Sequence, residues 1–147
     1  MSGSSTEQQI ALVTGASRGI GAAIALMLAE QGFKVLGTAT TEAGAQRISD
    51  MLAGRAGQGL CLNVTEGPAV DAAVDSIIKA HGGLHVLVNN AGITRDTLAM
   101  RMTDDDWQTV IDVDLTAAFR LSRAALRPMM RRRWGRIISI TSVVAVT

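Results

Sequence analysis

Ile10-Ala-Leu-Val-Thr-Gly-Ala-Ser-Arg-Gly-Ile-Gly21 decides the fold. An apolar run of strand length, Ile10 to Val13, enters a glycine-rich turn, Thr14 to Gly21, and continues into a helical pattern at Ile20, Ala23, Ile24, Met27 and Leu28. Gly15 permits the tight turn, Gly19 lets the backbone approach a pyrophosphate, and Gly21 lets the new helix lie close on its strand. The helix N-terminus adds unpaired N–H groups and a partial positive charge, so a dinucleotide would sit there. Glycine triplets alone also suit a tight strand-to-helix connection that binds nothing. Gly15-Ala16-Ser17-Arg18-Gly19 further matches the nucleophile elbow of serine hydrolases, a reading that needs a histidine near Ser17. The two histidines, His81 and His85, precede the apolar run Val86 to Val88, which puts them at the opposite end of a parallel sheet from Ser17.

At 147 residues and 48% hydrophobic content, the chain is sized for one domain with a real core. A net charge of +1 gives no global case for nucleic acid or a membrane. The single cysteine, Cys61, falls in the apolar run Leu60 to Leu62 and is expected as a buried, inert thiol in a reducing cytoplasm. Residues 1–9 are polar, read as a loose lead without a signal-peptide pattern, and the domain spans 10–147.

Strand-like and helix-like segments then alternate. Lys34 to Thr38 is strand two, Thr40 or Thr41 caps a helix running towards Leu52, and Gly54 and Gly57 mark a turn before strand three, Gly59 to Leu62. Thr65 is expected to cap a helix with Pro68 in its first turn and a stripe at Val70, Ala73, Val74, Ile77 and His81. His81 suits the helix dipole or solvent rather than a metal, and no metal is expected. Leu84 to Val88 is strand four. Thr103 and the aspartates 104–106 start a long helix, with Val110, Val113, Ala117, Leu121 and Ala124 on one face and Arg120, Arg123, Arg127 and Arg131 on another. Pro128 should bend this helix and Gly135 end it, before strand five at Arg136 to Thr141. The pattern predicts an α/β, Rossmann-type doubly wound parallel sheet of five strands in the order 3-2-1-4-5. Five segments that follow strands meet at one rim: Thr14 to Gly21, Thr38 to Thr40, Asn63 and Val64, Asn89 to Gly92, and Thr141 to Ser142.

A dinucleotide fold that prefers NAD places a carboxylate at the exit of strand two; here that exit reads Gly37, Thr38, Ala39, Thr40. Small side chains leave room for an additional phosphate and Arg18 can pair with it, which points to NADP(H).

These residues resemble the short-chain dehydrogenase/reductase family, and within it the bacterial 3-oxoacyl-acyl-carrier-protein reductases. The resemblance rests on Thr14 to Gly21, Asn89-Asn90-Ala91-Gly92, Ile93-Thr94-Arg95-Asp96, and Gly135-Arg136-Ile137-Ile138 leading to Ser142-Val143-Val144. It implies reduction of a 3-oxoacyl thioester in fatty-acid elongation, with NADPH contacted by Gly15, Ser17, Arg18, Gly19, Ile20, Gly21, Thr40, Asn63, Val64, Asn90, Ala91 and Gly92. It also implies that Ser142 hydrogen-bonds the substrate carbonyl, as a fixed donor does for a developing oxyanion; a turn hydroxyl bonding its own backbone is the plainer role. Two departures stand out. Asp114 occupies a family asparagine position, adding a charge and removing an amide donor. Family catalysis uses a tyrosine and a lysine four residues later, beyond Ser142, whereas this chain holds no tyrosine and ends at Thr147. An N-terminal portion incomplete for catalysis is therefore expected, or a nucleotide-binding module without turnover. Ile137, Ile138, Ile140 and Val143 would then form an exposed edge prone to self-association. The arginines around Trp134 read either as a solvated helix end or, by the resemblance, as a docking patch for an acidic acyl carrier protein at Arg132 and Arg133. No aromatics are interleaved to stack bases, so nucleic acid is not expected.

Overall fold

Alternation along the first strand sets the layers: Ile10 and Leu12 point to one side, Ala11 and Val13 to the other, and all four are buried. The computed structural model describes residues 7–93 and 98–141. Strands β1 (Ile10–Val13), β2 (Lys34–Ala39), β3 (Gly57–Cys61), β4 (Val86–Asn89) and β5 (Arg136–Ser139) form one parallel sheet in the order β3-β2-β1-β4-β5. Leu12 pairs in register with Leu36 and Leu87, so the three central strands stack their largest side chains in one layer. Helices α1 (Gly19–Glu30) and α2 (Glu42–Met51) cover the face carrying Val13, Val35 and Val88. Helices α3 (Gly67–His81) and α5 (Ala117–Arg132) cover the face carrying Leu12, Leu36 and Leu87. Each fully buried leucine there contributes roughly 2 to 5 kcal/mol relative to alanine. No helix among the described residues is long and apolar enough to cross a membrane.

Several local expectations change. Strand three begins at Gly57 rather than Gly59, because Gly57 pairs with Val35. It is a sheet edge, and Cys61 is exposed rather than buried. Thr65 does not cap α3: its hydroxyl donates to Asn63 Oδ1 at 2.6 Å, and Glu66 takes the N-cap position without a side-chain bond. Thr41 does cap α2, accepting from Gly44 N at 3.0 Å, and Thr103 caps α4 (Asp104–Val110), accepting from Asp106 N at 3.1 Å. The long helix contains a π-helical stretch, Ile111–Thr116, between α4 and α5. Pro128 is accommodated inside α5, which ends at Arg132 because Trp134 N bonds Met129 O and Arg133 turns left-handed (φ 56°). The four residues of β5 are all exposed, as nothing among the described residues packs on their outer side.

The N-terminal ends of the strands are fastened by side chains. His85, only 5% exposed, accepts from Ile10 N through Nδ1 at 3.0 Å, and its own amide donates to Ile10 O at 2.9 Å. Arg132 forks onto both oxygens of Glu7 at 2.9 and 3.0 Å and also donates to Gly82 O, tying the lead to α5 and to the end of α3. That guanidinium holds the Glu7 carboxyl below the usual carboxylate range. Trp134 lies 6.4 Å from the His85 ring.

Burial, then the nearby Arg132 charge, push the His85 pKa below its ordinary value, with Glu7 opposing weakly. The unfolded chain therefore binds more protons, so this contribution is complete above about pH 6.5 and is lost as pH falls through the lowered folded value. Urea unfolding at pH 7.5 and 5.5 checks this. Wild type should lose more stability across that interval than His85→Asn, which keeps an acceptor but does not titrate, and equal losses would contradict the assignment.

Candidate nucleotide-binding site

Thr14 follows β1, and its side chain makes the join on which the site is built. Its hydroxyl oxygen, buried, accepts from Asn90 N at 3.0 Å and Ala91 N at 2.9 Å, while its amide donates to Val88 O at 3.1 Å. Gly15 N donates to Thr38 Oγ1 at 3.4 Å, Ala16 N to Thr38 O at 2.9 Å, and Asn90 Nδ2 to Gly15 O at 3.1 Å. The turn is thus bonded to β2 on one side and β4 on the other. Gly15 takes φ 62°, and a Cβ at Gly21 would run into the Gly15 carbonyl and the Asn90 amide, so both positions require glycine.

Helix α1 then begins bare. Arg18 at its N-cap is extended and makes no side-chain cap, and the first turn holds no acidic residue. The first-turn N–H groups keep no intrahelical acceptor and carry the positive end of the dipole. Arg18 is exposed, with no ion-pair partner among the described residues.

A cleft of about 480 Å³ opens in front of this helix end. Gly15, Ser17, Arg18, Gly19 and Ile20 line it from the turn, Thr38 to Thr40 from the exit of β2, and Asn63 and Val64 from the exit of β3. Asn90, Ala91 and Gly92 line it from the exit of β4. Gly21 is not a lining residue; it is buried behind the turn, where it brings α1 against the Gly15 carbonyl. Ser142 lies outside the described residues, as do Thr94, Arg95 and Asp96.

Leu62, Thr65, Ile93 and Val113 complete the lining; the sequence pattern named them as a strand end, a helix cap, part of a family motif and a helix face, and none as a cleft residue. Leu62 and Val113 occupy core positions of their periodicities. The wider π turn shifts the helical phase, and Val113 lines the cleft. Asp114, in the same turn, accepts from Ile93 N at 2.8 Å and so pins the loop after β4. The departure from the family residue at that position was the one signal that pointed here.

A larger groove of about 570 Å³ runs between α3 and α5, where Asp71, Asp75 and Lys79 face Arg123, Arg127 and Arg131. It lacks the converging backbone donors of the strand exits, so the smaller cleft is the candidate site.

A doubly wound parallel sheet with a glycine-rich turn at its switch point is a Rossmann-type α/β unit. Residues 9–147 match the family model described as short chain dehydrogenase, and the chain belongs to that family. It is 56% identical over 138 residues to the 3-oxoacyl-acyl-carrier-protein reductase FabG of Vibrio cholerae serotype O1, covering 94% of this chain and 56% of that protein. The same figures hold for FabG of Escherichia coli K12. With FabG of Pseudomonas aeruginosa the identity is 50% over 142 residues, 95% of this chain and 58% of the relative. The chain spans a little over half the length of these curated relatives.

Replacing Thr14 by Val keeps the shape but leaves the Asn90 and Ala91 amides without their acceptor. Thr14→Val should cost about 2 to 4 kcal/mol in urea unfolding, with Thr14→Ser retaining most of the stability. Equal stability of the two variants would remove this role for the hydroxyl.

Proposed function

We propose that the cleft binds NADPH and serves the reduction of a 3-oxoacyl thioester carried on acyl carrier protein. The observation that carries the reading is the bare N-terminus of α1 beside Arg18, which has no ion-pair partner among the described residues, across from a β2 exit without a carboxylate. Backbone N–H groups at Ser17, Gly19 and Ile20 suit a pyrophosphate, and Gly15 lets it approach. Arg18 and Thr40 suit a 2′-phosphate, Asn63 and Val64 the adenine, and Asn90, Ala91 and Gly92 the nicotinamide half. NADPH, when bound, supplies the hydride. Ser142 follows β5 in sequence, and a hydroxyl there would donate to the carbonyl oxygen as negative charge develops on it. The substrate class follows from the relatives' names and from 50–56% identity.

For the carrier protein, Arg132 is committed to Glu7 and the Gly82 carbonyl, so the docking charge falls to Arg133. Arg133 is exposed at the end of α5, beside Arg136, whose guanidinium covers the Trp134 ring at 4.8 Å. Ile137 and Ile138 of β5, with Ile140 just after it, are exposed among the described residues, which suits self-association along this side of the sheet.

Fluorescence titration of Arg18→Ala should show NADPH affinity falling about 10- to 100-fold with NADH affinity nearly unchanged. Parallel losses for both coenzymes would overturn the 2′-phosphate assignment. Arg133→Glu should weaken carrier-protein binding at low salt, with the difference shrinking as salt rises; Arg132→Glu should instead lower the melting temperature. Unchanged carrier affinity in Arg133→Glu at low salt would exclude docking there.

A further inference from the structure

We infer that Arg120 is a positioning residue that holds the adenosine end of the cleft from outside it, an inference that rests on the nucleotide reading above. Arg120 lies on α5 and does not line the cleft. Its Nη1 donates to the carbonyl of Thr65 at 2.9 Å, a residue 55 positions away in the chain. Its guanidinium also covers Gly67, the first residue of α3: a Cβ there would lie 3.5 Å from Cζ, Nε and Nη1.

A cation at the start of a helix opposes the dipole, and the first turn of α3 carries no acidic residue to offset it. No ion pair between Arg120 and Glu66 exists among the described residues. Charge stabilisation of α3 therefore does not account for the placement. What the guanidinium gains is a charge-assisted bond to a loop carbonyl.

That loop forms one wall of the cleft. Asn63 Oδ1 accepts from Thr65 N at 3.0 Å and from Thr65 Oγ1 at 2.6 Å, and Glu66 N donates to Asn63 O at 3.1 Å. Thr65 is consequently gripped on two sides, by Asn63 through its amide and hydroxyl and by Arg120 through its carbonyl. With Oδ1 accepting from Thr65, the Nδ2 donor of Asn63 is the side-chain group turned to other partners, on an exposed residue that lines the cleft. The exit of β2 is where a dinucleotide fold holds the adenosine ribose, and β3 lies next to β2 at the sheet edge, so the adenine falls against Asn63. Arg120 fixes Thr65, Thr65 fixes Asn63, and the amide donor is held ready for a purine nitrogen.

The test uses the full chain with Arg120→Met, which keeps the stem and removes the donors, and Arg120→Lys, which restores one. Hydrogen exchange without ligand should show protection lost at the Thr65 and Glu66 amides in Arg120→Met. Affinity for adenosine 2′,5′-bisphosphate and for NADPH should fall by the same factor, about tenfold in Arg120→Met and about threefold in Arg120→Lys. A purely structural role would lower the melting temperature while the folded variant bound both ligands as wild type does, and that result overturns the inference. Loss of NADPH affinity without loss for the bisphosphate overturns it too, since the effect would then lie at the other end. Should wild type bind neither ligand, the nucleotide reading fails and takes this one with it; the exchange result would still report whether Arg120 tethers the loop.

Discussion

Two backbone amides that converge on one threonine hydroxyl hold this structure's working end together. Thr14 stands where β1 stops, with β2 on one side and β4 on the other, and the chain reverses its direction of travel across the sheet at that point. Parallel strands that leave on the same side open a crevice wherever the strand order reverses. Without a link across it, the crevice would have independent walls. By accepting from Asn90 and Ala91, Thr14 makes the exit of β4 follow the exit of β1, and Thr38 does the same for β2 through Gly15 and Ala16. The position of α1, and hence of its unshielded N-terminus, follows from those few bonds.

The opposite end of the sheet is organised for a different purpose. There His85, Glu7, Arg132 and Trp134 join the lead, β1, β4 and the end of α5. At that end Ile10 N bonds His85 Nδ1 and the Arg132 guanidinium bonds both Glu7 oxygens. At the exit end, Arg18, the first α1 amides and the Asn63 amide nitrogen have no hydrogen-bond or ion-pair partner among the described residues.

The central sheet was legible because β1, β2 and β4 are buried on both faces and write near-continuous apolar runs. The helix start at Thr103, and the one at Thr40 or Thr41 that the structure settles as Thr41, were legible because a cap is a local event within four residues. Thr65 did not become the cap because the helix starts one residue later, with Glu66 at the N-cap, and Pro68 in the first turn offers no N–H, while the Thr65 hydroxyl donates to Asn63 instead. The edge strand β3 carries Gly57, Gln58 and Gly59, so no periodicity marks where it starts or that Cys61 faces solvent. Arg132 was out of reach of any pattern, since its partner Glu7 is 125 residues away. Within the site, residues on the glycine turn and after each strand stood out in the sequence, because strand exits in a parallel sheet share one rim. Val113 did not, because a π turn cannot be read from apolar spacing, and Arg120 did not, because it acts on the cleft only through Thr65.

The α1 end of the cleft is the proposed seat of the phosphates of NADPH. Amide chemical-shift mapping of the isotope-labelled chain during NADPH titration reads this residue by residue. Saturable shifts at Gly19, Ile20, Gly21 and Thr40, with the Ile10 and His85 amides at the far end of the sheet unmoved, are the expected result. Saturation that leaves the glycine turn unmoved, or shifts gathered along the groove between α3 and α5, would contradict it.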